Sequence, residues 1–170
     1  MVAGKGASTN NVRFLKTNSG KKGQGMPVVR NSQFYFREGL CWSDINTTFL
    51  KCRKKQRSIN DVKSMSIYSV TESVPEDFII TLINSTLLSY YVDTFINNTQ
   101  TFQINDARQL PIIIPTLSAI SESTKFVTAG ISIKRNETSE ISLESLQLEV
   151  DDFVMNIYNL HSPNGIWESR

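Results

Sequence analysis

Val74-Pro-Glu-Asp-Phe-Ile-Ile-Thr-Leu-Ile-Asn-Ser-Thr-Leu-Leu-Ser-Tyr-Tyr-Val-Asp-Thr-Phe-Ile96 is the stretch that decides how this chain folds. Phe78, Ile79, Leu82, Ile83, Leu87, Leu88, Tyr91, Val92, Phe95 and Ile96 recur at steps of three and four, the period of a helix with one apolar face. The spacing predicts a single amphipathic helix of about five to six turns. Ser73 is its expected cap, and Pro75 lies near the first turn. Glu76 and Asp77 sit at the positive end of the helix dipole, and Asn97 and Asn98 are the expected stop.

Upstream of this helix the pattern is β-like. Pro27-Val-Val29, Phe34-Tyr-Phe36, Leu40-Cys-Trp42, Thr47-Thr-Phe-Leu50 and Met65-Ser-Ile-Tyr-Ser-Val70 are short aromatic or β-branched runs between polar turns, so residues 26–70 predict a small mixed or antiparallel sheet. Downstream, Thr101-Phe-Gln-Ile104 and Leu110-Pro-Ile-Ile-Ile-Pro115 flank a polar turn and predict a return strand near residues 101–114. Leu117, Ile120, Thr124, Val127 and Ile131, then Leu143, Leu146, Val150, Phe153, Ile157 and Leu160, form two heptad-like seams. With Ser142 as a cap and a polar connector from Lys134 to Glu140, they predict an antiparallel helical hairpin or two helices covering the β-rich core. The expected fold class is α+β: a small sheet packed by one long helix, then the hairpin. Its expected division is a basic Gly-rich arm at 1–25, a core at 26–115 and the helical hairpin and tail at 116–170.

Charge along the 170 residues is sorted by position. Residues 1–63 hold 13 Lys+Arg against 3 Asp+Glu and residues 64–170 hold 5 against 13, so a net +2 hides a strongly basic first third. That asymmetry is the footprint of a polyanion binder, with nucleic acid the first partner to test. Lys51-Cys-Arg-Lys-Lys-Gln-Arg57 puts five cations in seven residues. Lys51, Arg53, Lys54, Lys55 and Arg57 are the expected phosphate contacts, with Arg13, Lys16, Lys21, Lys22 and Arg30 added by the arm and its junction. A solvated loop or a localisation signal is the bland alternative. Phe34, Tyr35, Phe36 and Trp42 lie among these cations and offer stacking surfaces. Strand alternation places Phe34 and Phe36 in the core and leaves Tyr35 as the one aromatic expected to face a ligand.

Other chemistries find little support. The glycine-rich segments lack G-x-x-x-x-G-K-[ST], and Asp151 and Asp152, adjacent on a helix, diverge by about 100°. His161 is the single histidine, and Cys41 and Cys52 stand eleven residues apart, so no zinc spacing exists and two reduced thiols are expected. No apolar run reaches the ~20 residues of a membrane span, and no signal-peptide core opens the chain, which makes the cytoplasm the expected location. The four Asn-x-Ser/Thr matches reflect a composition rich in those residues. The residues taken alone predict a binding chain without catalytic, metal or cofactor sites.

Four segments in order carry a resemblance. They are Gly6-Ala-Ser-Thr-Asn-Asn-Val-Arg-Phe-Leu15, Arg30-Asn-Ser-Gln-Phe-Tyr-Phe-Arg-Glu-Gly-Leu-Cys-Trp-Ser43, Leu82-Ile-Asn-Ser-Thr-Leu-Leu-Ser-Tyr-Tyr91 and Thr101-Phe-Gln-Ile-Asn-Asp-Ala-Arg-Gln-Leu-Pro-Ile112. In that order, and with a closing Leu146–Leu160 helix, the chain resembles the C-terminal target-recognition domain of adenine-specific DNA methyltransferases of the type II restriction-modification class. This TaqI-like specificity domain is also similar to recognition regions of phage-defence methyltransferases and of type I specificity subunits. The resemblance implies double-stranded DNA as a partner and a methyltransferase catalytic domain in cis or in trans. That domain would carry S-adenosylmethionine and the N-P-P-Y motif that grips a flipped adenine, neither of which has a counterpart in this sequence. The chain is then expected to be a domain of a larger enzyme or a free-standing specificity subunit. The competing expectation is a protein-interaction or dimerisation domain that uses the C-terminal helices and reads no DNA.

Overall fold

The computed structural model describes residues 31–45, 49–61, 63–135 and 142–160. The basic arm, the expected strand at 27–29, the connector at 136–141 and His161 lie outside them. The fold is α+β. β1 (Gly39–Ser43), β2 (Cys52–Lys55) and β3 (Ser64–Ile67) form an antiparallel sheet in the order β2-β1-β3. The register sets Leu40 opposite Lys54 and Ile67, Cys41 opposite Arg53 and Ser66, and Trp42 opposite Cys52 and Met65.

Alternation along β1 sorts its side chains between two faces. Leu40 and Trp42, fully buried, point toward the helices, where Phe78, Leu82 and Ile83 are equally enclosed. Trp42 Nε1 donates to the Phe102 carbonyl at 2.9 Å, so the largest core side chain brings its own polar atom a partner. Phe102 N in turn donates to Asp44 O, and Thr101 bridges Ile45. The expected return strand is reduced to that one bridge. Its polar turn is instead the short helix α3 (Ile104–Ala107), closed by a reciprocal capping box between Gln103 and Asp106.

The long helix is two helices. α1 (Glu76–Ile83) and α2 (Thr86–Tyr91), the latter extended by a π turn at Val92–Ile96, are bent by 66°. Every residue of the break uses its side chain. Asn84 accepts from Cys52 N at 2.8 Å and donates to Cys52 O at 3.0 Å, closing part of the free edge of β2. Ser85 Oγ caps α2 by accepting from Leu88 N. Thr86 donates its N–H and its hydroxyl to the two oxygens of Asp151, both at 2.7 Å. Short polar side chains compete in this way with the helical ladder. At the start of α1 the cap position is Pro75 rather than Ser73, and Glu76 reaches back to accept from Ser69 N.

α4 (Leu117–Lys134) and α5 (Leu143–Ile157) are capped by Thr116 and Ser142. Phe126 meets Phe153 edge-on at 5.3 Å and Gly130 faces Leu146, so the two helices run antiparallel as a hairpin. The buried stripe of α5 follows its seam through Leu146 and Val150, with Val154 added. On α4 it is rotated from the expected seam: small Ala119 and Ser123 are buried, while Leu117 is 87% exposed. Small residues let α1 approach α4 closely, and Thr81 Oγ1 donates to Ser123 O at 3.5 Å. Among the described residues no single helix is long and apolar enough to cross a membrane. The bent α1–α2 pair has the length and composition, but its apolar face is the core.

Candidate nucleic-acid interface

Within the cationic run, Cys52–Lys55 is not a solvated loop but the edge strand β2. Strand alternation therefore divides its side chains. Cys52 and Lys54 turn to α1, where the Cys52 thiol donates to Ile80 O at 3.8 Å and the Lys54 ammonium meets Asp77 at 2.8 Å. Arg53 and Lys55 take the opposite face with Cys41.

The turn at 56–61 folds across that opposite face and makes a groove of about 420 Å³, lined by Cys41, Arg53, Gln56, Ser58, Asn60 and Asp61 among others. A smaller neighbouring groove shares Arg53 and Asp61 and adds Asp44 and Lys63. Asn60 donates to Ser66 Oγ at 2.7 Å, fastening the turn to β3.

Lys55 is 3% exposed and donates to Arg37 O at 2.7 Å and Ser58 O at 2.8 Å. The expectation that its ammonium contacts phosphate is corrected, because the turn that follows β2 covers it and spends its donors on carbonyls. Arg57 pairs with Glu38 at 3.1 Å; both side chains are exposed, so the pair is weak and exchangeable. Lys63 is bound to the half-buried Asp44 at 2.8 Å, and that hydrogen bond, then the charge of Asp44, holds its ammonium above the ordinary lysine range. Arg37 donates to Ser69 O and lies over the Tyr68 ring. Lys51 and Arg53 are exposed and, among the described residues, make no side-chain hydrogen bond or ion pair with a carboxylate. Arg13, Lys16, Lys21, Lys22 and Arg30 lie outside the described residues.

No family model matches this chain, and no curated protein matches its sequence.

The aromatic expectation is reversed. Ser32–Phe34 is a 3-10 turn, Asn31 and Phe36 have φ of 53° and 58°, and strand alternation does not apply there. Phe36 is exposed, Phe34 is partly exposed and stacks on Tyr68 with centroids 5.4 Å apart, and Tyr35 is the half-buried one. Tyr68, hidden in sequence inside a strand-like run, carries Phe34, Arg37 and Lys55 around its ring.

Both cysteines are free thiols. Burial pushes the Cys52 thiol far above the ordinary range, the neighbouring Cys41 adds to that, and Arg53 opposes it. A buried thiol held protonated is a poor nucleophile. Asp151 is committed to Thr86 and Gln147 while Asp152 is exposed, so the adjacent pair does not converge. Among the described residues no three His, Cys, Asp or Glu side chains cluster as metal ligands.

Proposed function

We propose that this chain is a DNA sequence-recognition domain of an adenine-specific DNA methyltransferase of a restriction-modification or phage-defence system. It acts in the bacterial cytoplasm and positions on duplex DNA a catalytic domain, in cis or in trans, that binds S-adenosylmethionine. The ordered segments quoted above supply the family, and the observation that carries DNA contact is the pair Lys51 and Arg53. In a surface where neighbouring cations are bound to carboxylates or carbonyls, these two are exposed and, among the described residues, uncommitted, and Arg53 lines a polar groove. Lys51 positions the backbone, with the exchangeable Arg57 and Lys54 beside it and Arg13, Lys16, Lys21, Lys22 and Arg30 as further phosphate contacts.

The test is filter binding of the whole chain to random duplex DNA between about 50 mM and 200 mM salt, where affinity through several phosphates falls steeply. Lys51→Ala is expected to lower affinity for every sequence and to reduce the salt slope by about one. Absence of binding at low salt would sink the proposal and favour the second reading, a protein-docking domain. That reading draws on Ile114, Leu117 and Leu148, which are 80%, 87% and 68% exposed around the helical hairpin.

A further inference from the structure

We infer that Arg53 and Gln56 are the residues of this surface that read base edges, while phosphate contact falls to Lys51 and its neighbours; this rests on the DNA-binding reading proposed above. A side chain that reads a base needs donors and acceptors not already spent, a rigid mount, and surroundings that suit a base edge better than a phosphate. Among the described residues the Arg53 guanidinium makes no hydrogen bond or ion pair to a carboxylate, and the Gln56 side-chain amide, exposed in the same groove, engages no partner.

Their mount is held on several sides. β1 pairs with one edge of β2, and the Asn84 amide holds the N–H and C=O of Cys52 on the other. Gln56 follows Lys55, whose ammonium ties the strand end to Arg37 and Ser58, so the backbone on either side of Gln56 is fixed. Rotamer freedom is then confined to the two reading side chains, as preorganised recognition requires.

The lining of the groove decides between base and phosphate. Asp61 contributes a carboxylate that lies in both grooves beside Arg53 without pairing to it, the ammonium groups of Lys54 and Lys55 that also line the larger groove are held by Asp77 and by carbonyls, and Asn60 and Ser58 add neutral polar groups. A carboxylate repels the sugar-phosphate backbone, whereas alternating donors and acceptors match the edges of bases in the major groove. Arg pairs bidentately with guanine O6 and N7, and Gln with adenine N6 and N7. Three residues of extended chain separate the two readers by at most about 10 Å, the length of about three base steps. The site is therefore expected to contain a guanine and an adenine within that distance.

Selection of bound sequences from a randomised duplex pool by the whole chain, followed by the same selection with Arg53→Lys and with Gln56→Ala, tests this. Wild type is expected to enrich a short motif. Arg53→Lys keeps the charge but loses the two-pronged geometry, so it should abolish preference at one position, with a loss of roughly 5- to 150-fold in discrimination and an unchanged salt slope. Gln56→Ala should relax a different, nearby position. Both residues are exposed, and unchanged thermal melting will show that the fold is intact. If wild type binds but enriches no motif, or both variants enrich the wild-type motif, the assignment of readers is overturned while DNA binding stands. If nothing binds at low salt, the underlying reading falls with it.

Discussion

Gly39 begins β1 against the backbone of Ile67 and the ring of Tyr68. A Cβ built there would stand 2.5 Å from the Ile67 carbonyl oxygen and 2.7 Å from a ring carbon of Tyr68, so the position excludes any side chain. Gly39→Ala is expected to cost about 1–3 kcal/mol through displacement of the strand or the ring; urea denaturation reads it as a lower midpoint, and an unchanged midpoint would refute the close packing. Cys52 and Tyr158 predict alkaline sensitivity. Burial raises both, Tyr158 to about 12, so each holds its proton more tightly folded than unfolded. Stability is then complete below the ordinary thiol and phenol ranges and falls as pH rises through them, the Tyr158 share running from pH 10 to about 12. Thermal melts stepped upward from about pH 8 should show the decline, and Cys52→Ser should remove the part that begins in the thiol range.

The bend between α1 and α2 is an element-scale consequence of three polar residues. Helical periodicity runs unbroken through Asn84-Ser-Thr86 because both helices keep their apolar faces on one core, and for that reason the pattern concealed the break. The signals were present nonetheless: Asn84 is a C-terminal residue of one helix and Ser85 a cap for the next. What no local signal contains is their long-range partners, Cys52 32 residues upstream and Asp151 65 residues downstream. Asp151→Ala should destabilise by about 1.5–3 kcal/mol, because it strips a charged acceptor from the half-buried N-terminus of α2. Asn84→Ala, which leaves the Cys52 backbone groups unpaired, should cost about 1–3 kcal/mol. Chemical denaturation with an unchanged m-value checks both, and a wild-type midpoint in either would show that the pins at the bend are dispensable.

At the scale of the whole molecule, three cations of the basic portion are paired with carboxylates, one of them across to the acidic half. Lys54 reaches across to Asp77 at the start of α1, while Lys63 and Arg57 find Asp44 and Glu38 within the basic portion itself. Among the described residues of the basic portion, Lys51 and Arg53 are thus the cations with no carboxylate or carbonyl partner, two positions of the five-cation run. The opposite end offers apolar surface. Leu117→Ser and Leu148→Ser remove exposed side chains, so melting should stay near wild type, within about 0.5 kcal/mol of stability. DNA binding should also be unaltered; a large loss of stability would show that these leucines are covered within the folded chain.

Local pattern in the sequence determined the α+β class, the strands at Leu40-Cys-Trp42 and Met65-Ser-Ile67, the apolar faces of α1, α2 and α5 and the cap of α5, because each depends on neighbours within a turn or two. It also marked the basic run as the surface of interest. Only the tertiary structure decided that this run is an edge strand, that Lys55 is buried while Phe36 is exposed, that α4 packs on Ala119 and Ser123, and that Gln56 and Asp61 share a groove with Arg53. The physical reason is that a side chain's task depends on which distant donors, acceptors and surfaces the fold brings beside it, and spacing along the chain carries no record of those meetings.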